Sequence, residues 1–227
     1  MKKFIVLAVV SLMTALGAQA QYRGSYNTGG HIYPSRNRGY ELGRYSYGWN
    51  RPYFGLRVGP TFSNITGDDF SGGDTKVGVN VGMAVGIPLS NHMPLYLETG
   101  LYYTEKGEKD THNGLKYNLD YLELPFVFKY RCDVTNHFAV EPYIGGYAAV
   151  GVAGKTRTTD GTRSTWNSFG DQGVFRRGDA GIKFGCGVAY DMFYADMTYE
   201  WGLANITHDA LYDGRNGAFM INVGVNF

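Results

Sequence analysis

The chain has 227 residues and a formal net charge of +1, from 21 Lys and Arg against 20 Asp and Glu. So small a charge gives no electrostatic basis for binding nucleic acid, and we exclude nucleic acid as a partner. Gly (33), Tyr (19) and Phe (13) are abundant, while only 18% of residues are charged. This composition favours closely packed strands with aromatic faces over a helical domain.

The first twenty residues have the pattern of a secretory signal peptide. A basic start, MKK, precedes an apolar run over residues 4–17, and the small residues of AQA at 18–20 are typical of a cleavage site. No later apolar run approaches the roughly 20 residues that a spanning helix requires. We therefore expect an exported chain that begins near Gln21.

Residues 21–52 show neither a helical nor a strand period. They are rich in Gly and Tyr and contain five arginines but one acidic residue, Glu41. This composition is typical of a disordered spacer, here in the periplasm. The alternative is a basic arm that contacts anionic lipid, cell wall or a partner protein. We favour the spacer, because the composition by itself accounts for it.

From Tyr53 onward, eight segments of about a dozen residues alternate with a period of two. The second is the clearest, with six apolar residues from Val77 to Ile87 on one face and mostly Gly and Asn on the other. Pro125 and Pro142 weaken the fourth and fifth segments, because a proline cannot donate to a strand ladder. The predicted strands are residues 53–65, 76–89, 94–106, 115–130, 137–154, 178–190, 192–204 and 218–227.

The connections indicate which solvent the strands face. Those after strands one, three, five and seven are long and polar, near residues 66–75, 105–116, 154–177 and 205–217, whereas the other three are short. Long loops at one end, tight turns at the other and an even strand count are typical of bacterial outer-membrane barrels. We therefore predict an all-β fold, an eight-stranded antiparallel up-and-down transmembrane β-barrel over residues 53–227, with both termini in the periplasm.

Aromatic residues gather at both predicted rims, as anchoring at lipid headgroups requires. Tyr190 and Phe193 lie at the short-turn end, and Tyr103 and Trp201 at the loop end. Strand eight must pair with strand one, because an exposed sheet edge cannot exist in lipid. We assign Phe219 and Phe227 to this closure and to assembly. A terminal aromatic resembles the signature read by outer-membrane assembly machinery, an expected partner beside outer-membrane lipid and lipopolysaccharide.

Charged residues share the face opposite the apolar one. A Lys or Arg near the bilayer midplane costs about 2 to 4 kcal/mol, so this face must line the interior. Side chains just fill the interior of an eight-stranded barrel, which argues against an open diffusion pore. The predicted interior charge network consists of Arg57, Glu98, Glu123, Lys129, Glu141, Lys183, Asp196 and Glu200.

The loops raise the alternative of a surface hydrolase. Asp68-Asp69 and His208-Asp209 resemble, as dipeptides, the acidic pair and the Asp/His pair of omptin proteases, where a water between such groups is activated. Omptins have more strands, however, and the order here is His-Asp. His112, Asp110 and His208 could approach one another as metal ligands, but they lack a metal-ligand spacing and are more typical of solvated loop residues. We therefore expect no catalytic residue, no metal and no cofactor.

Two further features stay open. The connection 154–177 carries five cations with Trp166 and Phe169, and it could bind lipopolysaccharide phosphates or a protein, or be a mobile surface loop. Cys132 and Cys186 belong to an exported chain in which a disulfide could form. We expect both to be unpaired, because one lies in a predicted turn and the other in the middle of a strand.

Several segments in chain order resemble the PorT-like outer-membrane β-barrel family of Bacteroidota over about residues 53–227: FGLRVGPTFSNITGDD, LETGLYYTEKGE, YLELPFVFKY, PYIGGYAAVGVAGK and FRRGDAGIKFGCGVAYD…YEWGLANI. The resemblance implies a small, porin-like barrel in the outer membrane, with one member implicated in type IX protein secretion. It offers no catalytic residues. The expected function is a structural or interaction barrel, accessory to secretion or envelope integrity, and the alternative is a narrow channel.

Overall fold

A computed structural model describes residues 51–67, 74–90, 92–110, 114–158, 165–169, 175–207 and 214–227. The expected signal peptide, and the expected spacer up to residue 50, lie outside the described residues. Among the residues that are described, none belongs to a helix long and apolar enough to cross a membrane.

Eight long strands account for most of the described chain, as the period of two predicts. They are β1 (Tyr53–Thr66), β2 (Asp74–Pro88), β3 (Leu95–Asp110), β4 (Leu115–Tyr130), β5 (Phe138–Thr158), β6 (Gly178–Tyr190), β7 (Phe193–Gly202) and β8 (Arg215–Asn226). Two short strands, Cys132–Asp133 and Thr165–Asn167, pair with β5.

The sheet closes on itself. Each long strand pairs antiparallel with its neighbours in the chain, and β1 pairs with β8 from Gly55 opposite Asn226 to Thr66 opposite Arg215. Every one of the eight strands therefore has two partners, and none of them presents a free edge to lipid. The predicted eight-stranded antiparallel barrel is confirmed.

The barrel has two distinct ends. We call the end with the connections 89–94, 131–137 and 191–192 the turn end, and the opposite end the loop end. β3 reaches Asp110 and β4 begins at Leu115, so the predicted long connection 105–116 is wrong. The error arises because polar residues occupy both faces of β3 near the loop end, from Thr104 to Lys106 and from Glu108 to Asp110, so the hydrophobic alternation stops before the hydrogen-bond ladder does.

Prolines do not interrupt the strands. Pro125 lies opposite Tyr147 in β4, and Pro142 lies opposite Cys186 in β5. A residue in an antiparallel ladder exchanges hydrogen bonds with only one of its two neighbours. A missing N–H therefore costs at most one bond, and the strand continues.

The outward face is apolar over its central part, the inverse of a water-soluble protein. Large exposed apolar side chains include Phe54, Val79, Leu124, Phe128, Ile144, Ile182, Met197 and Val223. Tyr190 and Phe193 are exposed at the turn end and Trp201 at the loop end. Tyr103 is only 9% exposed, so its predicted role as an exposed rim anchor is wrong: Asp120, beside it on β4, accepts a hydrogen bond from it.

A β-bulge changes which residues of β5 face outward. Asp120 pairs with Ala153 and Tyr121 with Gly151, which leaves Val152 between them without a partner. On the turn-end side of the bulge, odd-numbered residues face the interior. Beyond it, Thr156 is buried while Lys155 and Arg157 are exposed. The uniform period assumed from the sequence does not extend past this point.

Candidate functional site in the barrel interior

Lys129 is the centre of a buried ion cluster near the turn end, which we call the turn-end cluster. Its Nζ lies 2.6 Å from Glu98 Oε2 and 3.6 Å from Glu141 Oε2. The same ammonium donates a hydrogen bond of 2.9 Å to the Tyr194 hydroxyl, and the Tyr53 hydroxyl donates to Glu98. A Lys with no exposed surface therefore has two carboxylates and a hydroxyl as partners.

Two arginines extend this cluster. The Arg57 guanidinium lies 3.8 Å from the Tyr194 ring centroid and donates a 2.5 Å hydrogen bond to Asn226 Oδ1. Arg131, in the turn after β4, lies 2.9 Å from Glu141 Oε1 and 2.8 Å from Asp133 Oδ1. Burial on its own would lower the pKa of Arg131, but the two carboxylates outweigh burial and raise that pKa above its usual value.

A ladder of uncharged donors lines the middle of the interior. Thr104 donates to Asn80 at 2.9 Å, Asn80 donates to Asn222 at 2.9 Å, and Asn222 donates to Asp196 at 2.8 Å. Thr198 also donates to Asp196, at 3.1 Å. These short side chains connect β3, β2, β8 and β7, so side-chain hydrogen bonds run along one half of the barrel wall.

A second ion cluster, the loop-end cluster, lies beyond this ladder. Lys106 Nζ is 2.7 Å from Glu200, 3.2 Å from Glu123 and 3.5 Å from Asp179. Lys183 Nζ is 2.8 Å from Glu123 and 2.7 Å from Glu200. Glu123 and Glu200 each bridge two ammonium groups, and all five side chains are buried. Two cations thus face three carboxylates.

Apolar side chains cover the interior at the loop end and form what we call the apolar cap. Phe169 packs edge-on against Tyr121 with 5.7 Å between centroids, and Phe175 packs edge-on against Tyr117 at 5.2 Å. The Phe169 ring lies where a Cβ on Gly151 would be, 2.5 Å from the nearest ring carbon. The cap consists of Ile65, Tyr117, Leu119, Tyr121, Phe169, Phe175 and Ile206.

Phe169 and Phe175 belong to the connection between β5 and β6, which the sequence left open as a binding or mobile loop. In the structure both rings are buried, and the Phe175 amide donates to the Ser168 carbonyl. No periodic signal marks this part of the sequence. The cap also makes the loop-end interior apolar, where the sequence predicted a polar lining.

The eight residues of the predicted charge network all lie inside the barrel. Seven are buried, and Asp196 is half-buried. Arg57, Glu98, Lys129 and Glu141 meet in the turn-end cluster, and Glu123, Lys183 and Glu200 meet in the loop-end cluster. The network is thus two clusters separated by the hydrogen-bonded ladder.

The predicted charge network omits three members of these clusters, Lys106, Asp179 and Arg131, although Asp179 shares the inward face of its predicted strand with Lys183. Lys106 has the same parity along β3 as Glu98 and Tyr102, so the alternation places it inside, but the predicted strand ends at Lys106 and the predicted loop overlaps it. Arg131 lies in a turn, where no alternation exists to indicate its direction.

The residues considered for hydrolysis or metal binding lie outside the described part of the chain, except Asp110, of whose side chain nothing is described. They are Asp68, Asp69, His112, His208 and Asp209. Among the described residues, no group of three or more His, Cys, Asp or Glu side chains could hold a metal ion. Phe219 lies opposite Phe62 across the β1–β8 seam with 6.4 Å between ring centroids, and Phe227 is partly exposed. Cys132 and Cys186 are free and exposed.

Residues 19–208 match the family of outer membrane protein beta-barrel domains, and the chain belongs to this family. It is a small β-barrel protein of the outer membrane. No curated protein matches the sequence significantly.

Several solved structures are similar to this chain at low identity. Ail, the attachment invasion locus protein of Yersinia pestis, is 14% identical over 77% of this chain and 98% of its own, with a TM-score of 0.42. Neisserial surface protein A is 14% identical over 77% and 97%, with a TM-score of 0.46. A major outer membrane protein of Thermus thermophilus is 11% identical over 78% and 100%, with a TM-score of 0.47.

Proposed function

We propose that the protein is a structural or interaction barrel of the outer membrane and does not form an open channel. The observation that carries this proposal is the filled interior: two buried ion clusters, a hydrogen-bonded ladder between them and an apolar cap. An interior occupied from end to end leaves the outer surface and the loops as the parts that can engage a partner.

The energetics of the ion clusters support a closed interior. Removing one partner from a buried ion pair costs about 3 to 5 kcal/mol, because the other charge is left uncompensated. A passing ion would have to separate several such pairs at once. Lys129 and Lys106 each contact more than one carboxylate, so thermal opening of both clusters together is rare.

In the proposed orientation the turn end faces the periplasm and the loop end faces outward, as in other bacterial barrels with short turns and longer loops. Residues 1–20 would then act as the signal peptide and residues 21–52 as a periplasmic spacer. The resemblance to PorT-like proteins supports an accessory role in secretion or envelope integrity, with no catalytic activity and no cofactor. This accessory role is inferred from the resemblance to a family and not from a particular site in the barrel.

Planar-bilayer recording tests the closed interior. Purified mature protein, refolded in detergent and added to a bilayer, should give no more unitary conductance steps than a heat-denatured sample gives. The alternative is a narrow channel, favoured by the charged and hydrogen-bonding groups that continue from Arg131 to Lys106. Steps whose ion selectivity changes in Lys129→Gln would establish that channel and refute the closed barrel.

A pull-down tests the interaction role. Full-length mature protein and a variant without residues 21–52 would be recovered from intact envelopes after crosslinking. A partner captured by both forms would bind the barrel, and one lost with the deletion would bind the spacer. Absence of any stoichiometric partner would leave a purely structural barrel.

A further inference from the structure

Three cations lie directly opposite one another on the outer surface at the loop end. Lys109 of β3 is opposite Lys116 of β4, and Lys116 is opposite Arg157 of β5. All three side chains are exposed. Neighbouring strands are about 4.8 Å apart, so the row extends over about 10 Å.

The bulge at Val152 creates this row. Without the extra residue, Arg157 and Lys155 would have the parity of Glu141 and face the interior. With it, both face outward, Arg157 beside Lys116 and Lys155 opposite Asn118. Bulges commonly redirect a side chain, and this one moves two cations onto the surface.

Among the described residues, only one of these cations has a carboxylate directly opposite it. Asp74 is opposite Lys109 at the edge of the row. Lys116, Arg157 and Lys155 have no acidic residue directly opposite them among the described residues. Like charges directly opposite each other destabilise a strand pair, so this arrangement favours an external anion.

Two acidic residues lie nearer the lipid on the same face, and they do not neutralise the row. Glu105 and Asp120 are opposite each other on β3 and β4, four residues from Lys109 and Lys116. That separation is about 13 Å along a strand. Asp120 is buried and hydrogen-bonded to Tyr103.

The height of the row above the lipid determines which anionic ligand can reach it. The last large apolar side chain on the outer face of β5 is Val152, and Arg157 is five residues beyond it. This is about 17 Å along the strand and about 13 Å along the membrane normal at a tilt of about 40°. The headgroup region of a phospholipid is only about 5 to 8 Å deep.

We propose that Lys109, Lys116 and Arg157 bind the phosphate and carboxylate groups on the saccharide headgroup of an outer-leaflet glycolipid. A phospholipid is too short to reach the row, whereas an extended anionic saccharide rises past it. The proposal deepens the interaction role and rests on the orientation given above. Its binding readout is independent of conductance, so either proposal can fail alone.

The test compares two double variants of the mature protein in detergent micelles. K116Q/R157Q removes two of the three cations of the row. R176Q/R215Q removes two other exposed loop-end cations and changes the net charge equally. Binding of rough lipopolysaccharide with an intact core saccharide should weaken about 30-fold in the first variant, at roughly fivefold per surface cation, and less than about threefold in the second.

A second probe checks the height argument. Lipid A without core saccharide should bind the wild-type protein weakly and should not distinguish K116Q/R157Q from R176Q/R215Q. Equal losses in both variants with intact lipopolysaccharide, or full affinity for lipid A, would overturn the proposal. Folding is verified by faster migration of unheated samples on a gel. If K116Q/R157Q does not fold, the single variant R157Q, expected to bind about fivefold more weakly, carries the test.

Discussion

At the scale of single residues, the loop-end cluster depends on a lysine that the charge prediction omitted. Lys106 contacts three carboxylates, and Lys183 contacts two of the same three. Two ammonium groups balance most of the charge of three buried carboxylates. Removal of either ammonium leaves an excess of two negative charges in an interior that water enters poorly.

We therefore expect Lys106→Met to lower the free energy of unfolding by about 3 to 5 kcal/mol. The double variant K106M/E200Q should recover part of this loss, because it removes one of the carboxylates left without compensation. Urea unfolding in detergent micelles, followed by tryptophan fluorescence, measures both. Lys109→Met is the matched control, since its exposed side chain should change stability by less than about 0.5 kcal/mol. Equal stability of K106M and the wild type would mean that the cluster does not hold the barrel together.

The sequence alone predicts which face of a strand most of these charged residues occupy. Parity along a strand predicts the inward residues wherever the strand is regular, and Glu123, Lys183 and Glu200 are buried in the structure. It could not tell which inward residues meet, because that depends on register between strands. The division into two clusters follows from pairs such as Lys183 opposite Glu200, which no single strand reveals.

At the scale of elements, the seam between β1 and β8 brings two backbones into close contact at glycines. A Cβ on Gly59 would lie 1.8 Å from the Ile221 carbonyl oxygen, and one on Gly224 would lie 1.8 Å from the Leu56 carbonyl oxygen. The obstruction in both cases is backbone, which cannot rotate away as a side chain can. A larger residue at either position would therefore have to push the two strands of the seam apart.

Gly59→Ala should therefore destabilise the barrel by about 1 to 3 kcal/mol, as overpacking does in other interiors. The yield of heat-modifiable protein after refolding from urea should fall as well. Gly146→Ala is the matched control within β5, because its new methyl group would meet only the Gly181 carbonyl oxygen at 3.4 Å. If both variants refold with the yield of the wild type, close approach at the seam is not limiting.

The ends of the strands show where the period of two in the sequence is sufficient to predict them and where it is not. β4 and β6 begin and end where the sequence predicts, Leu115–Tyr130 and Gly178–Tyr190. In β6 the outer face is apolar throughout, and in β4 apolar residues alternate first on the inner face, from Leu115 to Tyr121, and then on the outer face, from Leu122 to Tyr130. β5 continues to Thr158, past a bulge that reverses its parity. A bulge depends on pairing with β4 and leaves no mark in a pattern read from one strand.

At the scale of the whole molecule, apolar residues lie on the outer surface of the barrel and ions lie in its interior. Two native cysteine thiols allow this arrangement to be tested. Cys186 lies outward in the middle of β6 between Phe184 and Val188, which are also exposed. Cys132 lies at the turn end, beyond Tyr130 and opposite Val140. Both are exposed, but in the membrane only Cys132 should meet water.

This contrast gives a prediction that leaves the ion clusters intact. The variants C132S and C186S, each with one thiol, would be labelled with a polarity-sensitive fluorophore and reconstituted into lipid vesicles. The label on Cys186 should emit at shorter wavelength and be quenched by a lipid-bound nitroxide, because Cys186 lies in the apolar band. The label on Cys132 should be quenched by iodide instead. Iodide quenching of Cys186 in folded, heat-modifiable protein would contradict this arrangement, since the outward face of β6 would then be in contact with water rather than with acyl chains.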